Sequence, residues 1–156
     1  EEAGILGAVA GIAGTLAAVE YLADLGRALS GQARCTRSAA LGHAYQAVGD
    51  YEIQLVRYLL QGLEQIKPVT VYGITNADQL SQRLPTVSLT HARMRPAELA
   101  SKLGERGFFV WHGNYYALQL SETLQLEPEG MVRIGLVHYN TREEVERLVA
   151  ILAELS

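Results

Sequence analysis

Met131-Val132-Arg133-Ile134-Gly135-Leu136-Val137-His138-Tyr139-Asn140-Thr141-Arg142-Glu143-Glu144 is the stretch that decides the fold. From Met131 to Val137 the pattern has period two. Val132, Ile134 and Leu136 share one face, and Arg133, Gly135 and Val137 share the other, which predicts a strand. Thr141-Arg142-Glu143-Glu144 has the form of a capping box, so a helix starts directly after it. Val145, Leu148, Val149 and Leu152 line one side of that helix. A guanidinium in the middle of an apolar strand needs a partner, because an unpaired buried charge costs about 3–5 kcal/mol. Its planar fork suits a carboxylate or a phosphate. Three readings stand for Arg133: an anchor for a substrate carboxylate, a structural salt bridge, for instance to Glu143 or Glu144, or an edge-strand arginine facing water.

Upstream, Phe108-Phe109-Val110-Trp111 reads as another strand, followed by the loop His112-Gly113-Asn114-Tyr115-Tyr116 that winds on to Leu120. An imidazole, an amide and two phenols in five residues at a strand end can bind ligands or move protons. The same stretch also reads as a turn, with Gly113-Asn114 supplying special backbone angles and the tyrosines capping the core. His112, Asn114, Tyr116 and Arg133 are the candidate substrate-binding residues. Pro96 opens a helix that Gly107 closes. Thr86 to Thr90 alternates, Val69 to Tyr72 is β-branched and aromatic, and both predict strands, with a polar loop from Gly73 to Arg83 between them.

Before these lie two helices. The first runs from about residue 11 to 29, with Ile12, Leu16, Val19 and Leu22/Ala23 as its stripe; the second is longer, 37–66, with Leu41, Tyr45, Val48, Leu55, Leu59 and Leu63. Lys67-Pro68 ends the second. The fold class is therefore α+β (α/β in the broader sense). Two N-terminal helices lead into a small, largely antiparallel sheet of three or four strands covered by helices.

Composition narrows the function classes. The chain has 156 residues, 13 Lys+Arg against 17 Asp+Glu, a net charge of -4, 49% hydrophobic and 19% charged residues. That is a globular composition with no basic stripe, so nucleic acid is not the expected partner. One cysteine, Cys35, excludes an intrachain disulfide and a cysteine-rich zinc site, and the chain reads as cytoplasmic. No third ligand stands at metal spacing beside His112 and His138, so no metal is expected; His43 and His91 show no partner pattern. From Ala3 to Val19 there is no charge, but the stretch is Ala/Gly-rich and runs into Glu20 and Asp24. It is read as a helix packed in a core or interface rather than a membrane span. Gly4, Gly7, Gly11 and Gly14 are spaced to let helices approach closely, and follow no strand, so they form no phosphate loop.

The second half of the chain resembles the small domain of class V aminotransferases, fold-type-I pyridoxal-phosphate (PLP) enzymes that include the cysteine desulfurases. The likeness rests on Leu84-Pro85-Thr86-Val87-Ser88, on Gly107 to Ala117 and above all on Val132 to Glu144. Gly11-Ile12-Ala13-Gly14 through Gly26 resembles the helix near the end of such a large domain. The resemblance implies a division at residues 1–35, the end of a large domain, and 36–156, the small domain. It implies that Arg133 binds the α-carboxylate of an amino-acid substrate. It implies a homodimeric parent with PLP, whose Schiff-base lysine and pyridinium acid lie upstream, so that no cofactor is expected on this chain alone. Where a cysteine desulfurase carries its nucleophilic cysteine, this sequence has Tyr116, so persulfide chemistry is not expected. A chain starting at Glu1 without a family-like lysine motif, its two lysines being Lys67 and Lys102, reads as roughly the last two-fifths of such an enzyme, inactive by itself. The competing reading is a free-standing α+β module that binds an anionic ligand or a protein partner without chemistry. A weaker one makes the helix pair at 3–66 an oligomerisation element.

Overall fold

The period-two segments come together as one antiparallel sheet. The computed structural model describes the backbone of residues 2–156 and the side chains of residues 9–156. Two compact units are present, Glu1–Tyr51 and Glu52–Ser156, and the division falls inside the second helix.

The first unit is α1 (Glu2–Ser30) and the N-terminal part of α2 (Arg37–Glu64). No proline interrupts the Ala/Gly-rich start, so α1 begins well before residue 11. The two helices meet through small residues. Ala23, Ala40 and Ala44 are fully buried, and a Cβ on Gly26 would stand 1.8 Å from the Ala40 carbonyl oxygen. Arg37 and Glu20 add an ion pair at 3.1 Å. The sequence predicts close approach at Gly4, Gly7, Gly11 and Gly14, and within this chain this is corrected for the last two. Gly11 and Gly14 have nothing within 4 Å; the packing of Gly4 and Gly7 lies outside the described side chains. Burial of the α1 stripe within the chain is corrected too. Ile12 is 71% and Leu16 54% exposed, because the contact with α2 is confined to the C-terminal turns of α1. Val9–Ser30, mean hydropathy 1.3, is long and apolar enough to cross a bilayer by length and composition.

The second unit holds the sheet. Its strands are β1 (Val69–Tyr72), β2 (Thr86–His91), β3 (Trp111–Gly113) and β4 (Met131–Gly135), in spatial order β1-β2-β4-β3, every pair antiparallel. One face is the core. Val87, Leu89, Val132 and Ile134 meet Leu55, Leu59 and Leu63 of α2, Leu99 and Leu103 of α3 (Pro96–Glu105), and Val145, Leu148 and Leu152 of α5 (Arg142–Glu154). Helices cover this face because period two put every large aliphatic there. The other face carries Tyr72, Ser88, Thr90, Trp111 and Arg133, all half-buried or exposed, and the buried Met131 at the start of β4.

The capping box forms as read: the Thr141 hydroxyl accepts from Glu144 N–H, and the Glu144 carboxylate accepts from Thr141 N–H. Two local expectations change. The paired strand is Trp111–Gly113 rather than Phe108–Trp111, since Phe108 N–H turns back to the Leu103 carbonyl to finish α3. The loop from Gly73 is not wholly irregular, for Ala77–Gln82 is a 3₁₀ helix that buries Leu80. Arg83 binds the carbonyls of Ile74, Thr86 and Leu84 and so ties that helix to the start of β2. After Gly113 the chain forms a short α4 (Leu118–Thr123).

Candidate active-site face

Register decides which candidates share a face. Arg133 lies opposite Ser88 on β2 and Trp111 on β3, so β4 is an interior strand and its guanidinium rises from the middle of the open face. Arg133 does face water, but the edge-strand and salt-bridge placements are corrected. It is not on an edge strand, and among the described residues no ion pair includes it. Glu144 is occupied by the cap and by Asn140, whose amide donates to it at 3.1 Å. What Arg133 does meet is Tyr115, whose ring centroid lies 4.1 Å from the guanidinium carbon, a cation–π contact.

Tyr115 is held to that place from two sides. Its hydroxyl donates to the Trp111 carbonyl at 2.7 Å and the Met131 carbonyl at 2.8 Å, bridging β3 and β4. Burial pushes its hydroxyl pKa up to about 12, partly opposed by the Arg133 charge and a backbone hydrogen bond from Arg133. A neutral phenol is the form that can donate to carbonyls, so burial and hydrogen bonding favour one protonation state. The backbone also bends for it. Tyr115 and Tyr116 have φ of 56° and 62°, in the left-handed region that side chains other than Gly, Asn and Asp seldom enter. Asn114 supports this turn, its Oδ1 accepting from Tyr116 N–H at 3.2 Å. Strain of this kind marks sites that the surrounding structure holds in place.

A second device fixes the loop to β4. A Cβ on Gly130 (φ 68°) would stand 2.2–2.7 Å from backbone atoms of Gly113 (φ 120°). Only glycine lets these two chain segments touch.

The candidates therefore separate. His112 pairs with Val132 and so belongs to the opposite side of the sheet from Arg133, although it is next to Trp111 in sequence. Asn114 is a turn residue with its side-chain oxygen engaged. Tyr116 is fully exposed and Tyr115 is half-buried over Arg133 on the open face, so the expectation that the tyrosines cap the core is corrected. Tyr115 and Trp111, not among the candidates, are the residues that flank Arg133. The signal was present in the parity of Trp111 and Arg133 about the turn, but needed the register to be seen. His91, read as ordinary, is buried, and its Nε2 lies 3.2 Å from Ser156 Oγ.

Residues 7–148 match the Aminotransferase class-V family. The chain belongs to the class V aminotransferases. A cysteine desulfurase of Salmonella newport (strain SL254) is 31% identical over 145 residues, covering 93% of this chain and 29% of that protein. Among solved structures, the apo cysteine desulfurase of Thermococcus onnurineus NA1 superposes with a TM-score of 0.64 at 26% identity, over 76% of this chain and 29% of that one. The cysteine desulfurase CsdA of Escherichia coli gives 0.60 at 22% identity over the same shares, and shares the fold. The class V chain thus spans 29% of the length of the curated relatives it matches, less than the two-fifths that the sequence suggests.

Class V aminotransferases are PLP enzymes that act on amino acids. The two lysines of the chain lie away from the Arg133 face. Lys102 is 3.0 Å from Glu98 on α3, an ordinary helix-surface pair. Lys67 follows α2 and lines a 720 Å³ groove with Arg57, Gln61 and Glu64 beside β1. Neither lysine lies on a strand of the sheet that carries Arg133. Among the described residues there is no cluster of His, Cys, Asp and Glu that could hold a metal.

Proposed function

We propose that this class V chain supplies the small-domain side of a PLP-dependent site for an amino acid, with Arg133 as the anchor of the substrate α-carboxylate. The observation that carries the proposal is the state of that guanidinium. It rises from an interior strand on the open face, is steadied by the Tyr115 ring at 4.1 Å, and joins none of the described ion pairs. An arginine with its ring-facing side taken and its donor edges free suits a bidentate carboxylate. Asn114 shapes the turn that presents Tyr115, and Tyr116 stands exposed at its tip. His112, on the other side of the sheet, has no part in carboxylate binding in this reading.

In the same proposal residues 1–35 belong to the end of a large domain and residues 36–156 to the small domain. The exposed Ile12 and Leu16 of α1 are then surface for the rest of such a protein, a homodimer in this reading. Two features support a reaction other than persulfide formation. Tyr116 holds the loop place that the resemblance assigns to a cysteine, and the only thiol, Cys35, lies between α1 and α2 in the first unit. In this reading the reaction is instead a transamination, a racemisation or an elimination.

The test is kinetic, in a longer protein that contains this chain and binds PLP. Losing a charged hydrogen-bonded contact is worth about 1.5–3 kcal/mol, so Arg133→Ala raises KM by about 10- to 100-fold with a smaller change in kcat. An unchanged KM would remove the assigned role. Treating the 156-residue chain itself with PLP and borohydride leaves Lys67 and Lys102 without a specific pyridoxyl adduct in this reading. Stoichiometric labelling of either one would show that the chain carries its own cofactor site.

A further inference from the structure

Arg133 has unequal neighbours. On the β3 side its direct cross-strand partner is Trp111, with Cβ atoms about 4.5–5.5 Å apart on the same face, as antiparallel pairing requires. The Trp111 side is an indole with 70% of the residue exposed. On the β2 side the partner is half-buried Ser88, and beyond it Tyr72 and Thr90 share a hydrogen bond at 3.2 Å. Tyr115 covers the guanidinium from a third direction at 4.1 Å.

A carboxylate that binds the donor edge of Arg133 must send the rest of its body somewhere. Toward β2 it meets the Ser88 hydroxyl first; the half-buried Tyr72 ring lies one strand further away on β1, its hydroxyl paired with Thr90. Toward β3 it meets a flat apolar surface with a π face. An aromatic ring laid on an exposed indole gains a stacking contact beyond simple area burial, and a serine hydroxyl returns nothing comparable. We infer that the Arg133 face takes carboxylates bearing an aryl or similarly flat apolar group, and that Trp111 is the residue that selects it. This rests on the reading of Arg133 as the carboxylate anchor and adds the class of side chain.

The chain contains one tryptophan, so a single indole N–H resonance reports on Trp111. The experiment titrates the ¹⁵N-labelled chain with acetate and, separately, with phenylacetate. Both shift the Arg133 backbone amide saturably, and phenylacetate binds about 3- to 10-fold more tightly and moves the indole resonance as well. Arg133→Ala abolishes both titrations. Trp111→Ala, followed at the Arg133 amide, brings the two affinities together. Trp111→Phe keeps a ring and restores most of the difference. Equal affinities in the unaltered chain overturn the aryl inference and leave the anchor in place. Binding of neither anion overturns the anchor and the inference with it. An indole shift by phenylacetate that survives Arg133→Ala means apolar adhesion to Trp111, and that also overturns the inference.

Discussion

Tyr115 joins three constraints that work at the level of single atoms. Its ring carries the Arg133 guanidinium, its hydroxyl bridges two strands, and its backbone sits in the left-handed region at φ 56°. Its hydroxyl pKa is raised by burial to about 12, against an ordinary value of 10.0. The folded state therefore holds this proton more tightly than the unfolded one, and the stability it contributes is present below pH 10 and lost as the pH rises through about 12. The chain has eight tyrosines. Absorbance titration near the tyrosinate band should show a late component that Tyr115→Phe removes; no change in the curve would contradict the raised value. His91 works in the opposite sense. Burial, then the Arg93 charge, lowers its pKa, with Glu98 acting the other way and Lys102 lowering it further. Its contribution is present above the unfolded value of 6.5 and lost as the pH falls below it. In His91→Gln the stability–pH slope below pH 6.5 flattens, which urea unfolding at several pH values measures.

At the scale of elements, the open face is closed by a contact between the end of β3 and the residue before β4. Gly113 and Gly130 touch backbone to backbone, and Gly130 has φ 68°. Gly130→Ala must move the chain or strain it, at a cost of about 2–4 kcal/mol. The loss should be accompanied by release of the Tyr115 hydroxyl from its two carbonyls, seen as a return of its titration toward 10.0. A fully stable Gly130→Ala protein with an unmoved Tyr115 would show that the contact does not hold the loop. The helix after β4 is held differently, by the reciprocal Thr141–Glu144 cap. That element was legible because a capping box is local: four consecutive residues contain both donors and both acceptors. The β3 boundary was less legible. Phe108-Phe109-Val110 has strand composition, but α3 claims the Phe108 N–H, and ladder pairing starts only at Trp111.

At the scale of the molecule, each unit has its own balance of burial. The second has a continuous core from α2 through the sheet to α3 and α5. The first is joined by alanines and Gly26 and leaves Ile12, Leu16 and Tyr45 more than half exposed. Apolar stripes of that size on a helix pair favour self-association. Size-exclusion chromatography with light scattering at rising concentration should show species larger than 17.0 kDa, and a monomer throughout would contradict this.

What the sequence determined by itself was everything carried by short-range periodicity: the helices, the strands of period two, the capping box, and the family likeness around Arg133. These follow from bonds and side-chain directions within a few residues, so no distant partner is needed to read them. Register and loop closure belonged to the tertiary structure alone. It set Arg133 opposite Trp111 and Ser88, turned His112 to the other face, and brought Tyr115 onto the guanidinium. It also engaged His91 with Ser156, 65 residues away. The physical reason is that alternation tells which residues of one strand share a side but not which residues of another strand meet them. That pairing is decided by contacts far apart in the chain, here by the touching glycines at 113 and 130 and by the core face of the sheet.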